Sequence, residues 1–204
     1  MTPAEVPPRR ERPGKAAILR AAVEVMGRDG YEGASLRDMA ARAGVSVAAL
    51  YYHFPSKNDL LREFVDEAYD VVLARLRRRL GEAGPSATAT DRLDEVVGTL
   101  IASVLHDEFA RLAAHVAWRE HTRLDAAGRA AVDAKRAELL DLVTEVIEAG
   151  VESGDLAPSE PREAARAIIT LATTLVEPFG EMGRTMPEVI ALYQGFARAI
   201  AGAR

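Results

Sequence analysis

Cysteine is missing from all 204 residues, and with it go disulfides, thiolate metal sites and cysteine nucleophiles. Aromatic residues are only 5% of the chain and β-branched runs are scarce, while hydrophobic residues reach 49%. That balance disfavours sheets and suits helices packed on helices. No stretch alternates with period two, and no internal repeat occurs. The longest uncharged apolar run, residues 167–176, is too short to span a bilayer. Residues 1–15 are rich in Pro and Arg and carry no apolar h-region. No signal peptide is therefore expected, and the chain reads as cytoplasmic.

Enzyme signatures are missing as well. No His-Glu-x-x-His, Gly-x-Ser-x-Gly or P-loop pattern occurs. The residues three before His53, His106, His115 and His121 are Leu50, Ser103, Leu112 and Trp118. The Glu-x-x-His pairs of a di-iron bundle are thus excluded. His106, Asp107, Glu108, His115 and His121 have no clean ligand spacing. No catalytic residue, metal or cofactor is expected.

Charge is spread unevenly. The net charge is −5, yet residues 1–60 hold nine basic and seven acidic side chains, leaving 17 and 24 downstream. A head at +2 on a body at −7 suits a nucleic-acid module joined to a second domain. Apolar spacing gives the elements. Ile18, Leu19, Ala22, Val23 and Met26 form one stripe of a helix over 13–28, which breaks at the turn 30–33. Ser35 opens a second helix, with Asp38 in the capping-box position, and Gly44 ends it. Ser46 caps a third, over 47–54, which Pro55 stops. Ser56 and Asp59 open a fourth, over 57–80, with Leu60, Leu61, Phe64, Val65, Ala68, Val72 and Leu76 inward. Residues 81–90 read as a loop, followed by helices over 91–106, 108–120, 126–153, 161–179 and 187–202. The expected fold is all-α, with about nine helices and no sheet.

Two short helices joined by a tight Gly turn and braced by a third make a helix-turn-helix, whose second helix enters the major groove. Val47, Ala48 and Ala49 are small apolar groups suited to thymine methyls, and Tyr51 and Tyr52 offer hydroxyls. The Ser46 cap leaves free N–H groups at a helix start. Leu36, Met39, Ala40, Leu50 and Phe54 are the core side of the unit. The run from Ser35 to Leu60, with Gly44, Leu50-Tyr51-Tyr52-His53-Phe54 and Pro55-Ser56-Lys57, closely resembles the signature of the TetR (tetracycline-repressor) family. The resemblance is specific over residues 12–65; beyond them it rests on length, helix count and order. It implies that Arg37, Val47, Ala48 and Tyr51 lie near bases, and that Ser35, Tyr52, His53 and Lys57 touch or position phosphates. Lys57 then resembles a phosphate clamp that couples DNA to movement of the fourth helix. Val47 and Ala48 depart from a hydrogen-bonding pattern, which shifts specificity toward Arg37, Tyr51, methyl contacts and DNA shape. His53 either touches phosphate or packs beneath the turn. Arg9, Arg10, Arg12 and Lys15 form either a DNA-reaching arm or a solvated tail.

The same resemblance divides the chain into a disordered basic arm (1–11), a DNA-binding domain (12–56), a connecting helix (57–80) and a ligand-binding and dimerisation domain (81–204). The last two helices are expected to form a four-helix bundle with their twins. Ile168, Ile169, Ala172 and Leu175, with Val189, Tyr193, Phe196 and Ile200, make apolar stripes suited to that interface, although they suit the protomer's own core too. An isologous homodimer places two recognition helices about 34–36 Å apart on a palindromic double-stranded DNA operator. Leu100, Val104, Leu112, Trp118, Val143 and Thr173 are the expected lining of an inducer pocket. The stretch from His115 to Glu120, with Gly154 to Pro158, looks like family members that answer to acyl-CoA or other lipid-derived ligands. The implied function is a repressor released by a small, largely apolar ligand. The alternatives are a ligand-dependent activator and a helical protein-binding dimer.

Overall fold

The structure is a computed structural model that describes residues 14–176, 180 and 182–203, apart from the side chains of Trp118 and Val176. The expected arm, residues 1–11, lies outside the described residues. Nine α-helices and no strand occur among the described residues. They are α1 (Lys15–Gly33), α2 (Leu36–Ala43), α3 (Val47–His53), α4 (Lys57–Glu82), α5 (Ala89–Leu105), α6 (Glu108–Glu120), α7 (Ala126–Ser153), α8 (Pro161–Thr173) and α9 (Met186–Ile200). Short 3-10 turns, His121–Arg123 and Thr174–Val176, follow α6 and α8. Lys15 opens α1 and pairs with Glu63 on α4, so it is part of the fold rather than of the arm.

Polar side chains start most of these helices. Ser35, Ser46, Ser56, Thr88, Asp107 and Asp125 each accept a backbone N–H of the first turn. A full reciprocal box forms at Thr88–Asp91, where the cap residue sits at φ −66°, and at Thr185 (φ −76°) the Glu188 carboxylate accepts both the cap N–H and its hydroxyl. At Ser35 and Ser56, φ is −104° and −142°, and the carboxylates of Asp38 and Asp59 accept the cap hydroxyl instead. Rotation about φ swings the cap N–H away from the third helical residue, which accounts for the difference. The Thr88 box also starts α5 at Ala89, two residues before the periodicity predicts.

Periodicity predicts one helix over 161–179, but α8 ends at Thr173 and tightens into a 3-10 turn. The hydroxyls of Thr170, Thr173 and Thr174 donate to carbonyls four residues back, at 2.8–2.9 Å. Such back-bonding weakens and bends a helix end. Residues 177–179 of that expectation lie outside the described residues.

Two apolar clusters form, and their boundary does not fall at residue 56. The head cluster joins α1–α3 to Leu60, Leu61, Phe64 and Val65 of α4, and also takes in Val116, Leu124 and Val132. The body cluster gathers Leu73 and Leu76 with α5, α7, α8 and α9. Tyr69 on α4 packs against both. The connecting helix is therefore core to each unit, and the seam runs across its middle.

Candidate nucleic-acid interface

Local chemistry aims α3 outward. Gly44 adopts φ 69°, a left-handed conformation that favours glycine, and its N–H bonds the carbonyls of Ala40 and Ala41. Ser46 then caps α3, its Oγ accepting the Ala49 N–H at 3.1 Å. Leu50 is fully buried and Phe54 nearly so, in the head cluster with Ile18 and Met39. With the one apolar anchor of α3 spent inward, the rest of this seven-residue helix is left out.

Seven large apolar side chains are exposed among the described residues, and three of them, Val47, Tyr51 and Tyr52, stand on α3. Two more, Phe196 and Ile200, stand on α9. A single exposed apolar residue is ordinary, but a concentration of them marks a contact surface. Val47 with Tyr51, and Ala48 with Tyr52, are i, i+4 pairs, so they share one outward face. Tyr52 is 85% exposed and Tyr51 51%. His53 is exposed too, its ring edge-on to Tyr52 with centroids 5.3 Å apart, so it does not pack beneath the turn. Ser35, Arg37, Ser46 and Ala48 are exposed and Ala49 is half-buried. The sequence-predicted reading residues on α2 and α3 are thus solvent-facing, apart from the half-buried Ala49.

Lys57 is the exception in this group. Its ammonium donates to the carbonyl oxygens of Tyr31 and, at 3.1 Å, Ala34, and lies 4.3 Å from the centre of the Tyr31 ring. As the first residue of a 26-residue helix, a cation stands at the unfavourable end of the macrodipole. The two carbonyls and the ring face offset that position. One of its three N–H donors is left for another partner.

The residues expected around a ligand separate. Leu100, Val104 and Val143 are buried together in the body cluster. Thr173 is half-buried and spends its hydroxyl on Ile169. The side chain of Trp118 lies outside the described residues. Leu112 faces the other way, into the head cluster. A Cβ on Gly27 of α1 would lie 2.2 Å from Leu112 Cδ1, so glycine is what lets α1 and α6 approach. Periodicity shows that Leu112 is apolar and inward but carries no signal of which helix covers it.

The expected dimer stripe also divides. Ile168, Ala172, Leu175 and Val189 are at most 1% exposed within the single chain. They are core residues of the protomer: Ile168 and Ala172 lie on α8, which packs on α5 and α7, Leu175 lies in the 3-10 turn beside α5, and Val189 lies on α9, which packs on α5. Ile169 and Tyr193 are half-buried, and Phe196 (46%) and Ile200 (37%) remain exposed. Leu192, Gly195 and Ala199 share that side of α9 by spacing, so the outward strip has no charge.

Nine helices among the described residues, with the short pair α2 and α3 joined by the Gly44 turn and α3 facing outward, make a helix-turn-helix architecture. Residues 18–64 match the family model for bacterial regulatory proteins of the tetR family, and residues 86–198 match that for the tetracyclin repressor-like C-terminal domain. The chain belongs to the TetR family, and is a transcriptional regulator rather than an enzyme. A bacterial regulatory protein of the tetR family from Rhodococcus RHA1 is 28% identical, with a TM-score of 0.85 over 93% of this chain and 97% of that one. AibR, crystallised with isovaleryl coenzyme A and operator DNA, is 24% identical, with a TM-score of 0.78 over 95% of this chain and all (100%) of its own. The fatty acid metabolism regulator protein of Bacillus subtilis (strain 168) is 24% identical over 161 residues, 79% of this chain and 80% of that protein. No helix among the described residues is long and apolar enough to cross a membrane.

Proposed function

We propose that this protein is a cytoplasmic homodimeric repressor that holds a palindromic operator through its two α3 helices and leaves it when a small, largely apolar ligand binds the body. The observation that carries the reading is the exposed face of Val47, Ala48, Tyr51 and Tyr52 on a helix whose only buried residue is Leu50. Small side chains there let backbone and base edges approach, and the tyrosines reach bases or phosphates. Arg37 and the spare N–H of Lys57 flank that face and supply positive charge. The uncharged strip around Phe196 and Ile200 supports an isologous pair, as exposed aromatic and aliphatic anchors do at interfaces. The ligand class is supported by relatives named for fatty acid metabolism and for an acyl-coenzyme A complex.

The ligand shifts the equilibrium only by its differential affinity for the two forms of the protein. In this reading it moves α4, whose first half is head and whose second half is body, and changes the spacing of the two heads. Selection of genomic fragments by the purified protein, followed by gel-shift competition at stated salt, tests the reading. Enrichment of one palindrome supports it; uniform loss of all fragments to nonspecific competitor contradicts it.

A further inference from the structure

The 3-10 turn after α6 and the first turns of α7 line a half-open cavity of about 340 Å³. Its lining is His121, Thr122, Arg129, Val132, Asp133 and Arg136, with Val132 the buried floor. Arg129, Val132, Asp133 and Arg136 fall at i, i+3, i+4 and i+7, so one stripe of α7 carries both guanidiniums. Each guanidinium is oriented by one bond. Arg129 donates through Nη1 to the Leu124 carbonyl, and Arg136 through Nε to the Tyr69 hydroxyl at 3.1 Å. Apart from the long Arg136–Asp133 pair, no other bond to either fork occurs among the described residues, which leaves donors for an occupant. The single carboxylate of the lining, Asp133, comes no closer than 3.9 Å to Arg136 Nη1 and is 72% exposed. It therefore offsets only part of two positive charges.

We propose that this cavity seats the anionic group, a carboxylate or a phosphate, of the ligand to which the protein responds. The proposal rests on the reading of the chain as a ligand-responsive regulator and names the chemistry its ligand must carry. Fork donors match the planar oxygens of both groups. Arg136 precedes Val143 by seven residues on α7, about 10 Å along the axis.

Helix α4 is bonded to a lining residue at Tyr69 and, at Asn58, to the segment that joins the two parts of the lining. Asn58, next to Lys57, donates to the Arg123 carbonyl at 2.9 Å and accepts the Asp125 N–H at 3.3 Å. Arg123 in turn pairs with Glu32, beyond the kink of α1, at 3.3 Å. Tyr69, eleven residues further along α4, holds Arg136. An anion that draws on Arg129 and Arg136 thus pulls on the helix that links head and body, at its first turn and at the seam.

The test uses the full chain, titrated with sodium phosphate and separately with sodium octanoate, against chloride at constant ionic strength, by calorimetry. Saturable 1:1 binding of either anion supports the site. Preference for phosphate assigns a phosphoester ligand, and preference for octanoate a carboxylate. Arg129→Gln and Arg136→Gln each weaken binding about tenfold, whereas Arg75→Gln, outside the cavity, leaves it unchanged. If one glutamine variant fails to fold, the other reads the same cavity. Asn58→Ala keeps anion binding but loses the effect of the anion on DNA. No saturation by either anion up to about 10 mM, or glutamine variants that bind as wild type, overturns the proposal. Gel shift on the same protein separates the failures. Intact operator binding without anion binding removes only the site, and anion binding without operator binding removes the regulator reading while leaving the site.

Discussion

Lys57 and Tyr31 are joined twice: the ammonium donates to the Tyr31 carbonyl and lies 4.3 Å from the centre of its ring. This ties the first turn of α4 to the kink of α1, where Gly30 stands at φ 69°. In the proposed reading, the spare donor of Lys57 couples head geometry to phosphate contact.

Lys57→Met is expected to lower stability by about 1 kcal/mol, because it leaves two carbonyls without their charged donor. It also reduces the dependence of log K on log salt by about one, as loss of a single phosphate contact does. Chemical denaturation and salt-titrated anisotropy measure the two effects. Loss of stability with an unchanged salt slope makes Lys57 a structural tie alone.

Gly27→Ala brings a Cβ against Leu112 and is expected to cost about 1–3 kcal/mol, as overpacking does. Leu112→Ala removes the obstructing atoms, so the double variant is more stable than the sum of the single effects by about 1 kcal/mol. A double-mutant cycle by urea denaturation reads this. Strict additivity contradicts the α1–α6 contact.

The box carboxylates give a pH dependence. Hydrogen bonds from Thr88 hold Asp91, and those from Thr185 hold Glu188, below their ordinary values of 3.8 and 4.5. A depressed folded pKa contributes stability that is fully present above the ordinary value. It is lost as pH falls through the folded one. Asp91→Asn is therefore expected to melt lower than wild type at pH 7 and to converge with it in acid. Melting curves from pH 7 to about pH 2 check this, and a constant difference across that range contradicts it.

Phe196→Glu places a charge on the uncharged strip of α9 without touching the core, since Phe196 is 46% exposed. Dimer affinity is expected to fall by about 2 kcal/mol or more while helicity persists. Sedimentation shows a shift to monomer; an unchanged dimer places the interface elsewhere.

Much of the head was legible because its signals are short-range. Ser35, Gly44, Ser46 and Ser56 set caps and a left-handed turn within a few residues of where they act. On the third helix Leu50 and Phe54, at i and i+4, mark the core side, and the family resemblance marks Val47, Ala48, Tyr51 and Tyr52 as the outward face. The body was less legible, because periodicity shows which face of a helix is apolar and not what covers it. Ile168, Ala172, Leu175 and Val189 look the same whether covered by a twin or, as here, within the protomer. Leu112 under Gly27 and the guanidinium pair beside His121 depend on the meeting of distant helices. The end of α8 coincides with three threonine hydroxyls bonded back along the helix, which composition alone does not place.

Whether α3 reads DNA is decided by Tyr51→Ala in an operator-binding titration. Tyr51 is half exposed and lies outside the core, so the melting temperature is expected to stay at its wild-type value. Affinity for the selected palindrome is expected to fall by about 1–3 kcal/mol, with little change for random DNA. A Tyr51→Ala protein that folds, and binds the palindrome as wild type does, would contradict the assignment of α3 as the reading helix.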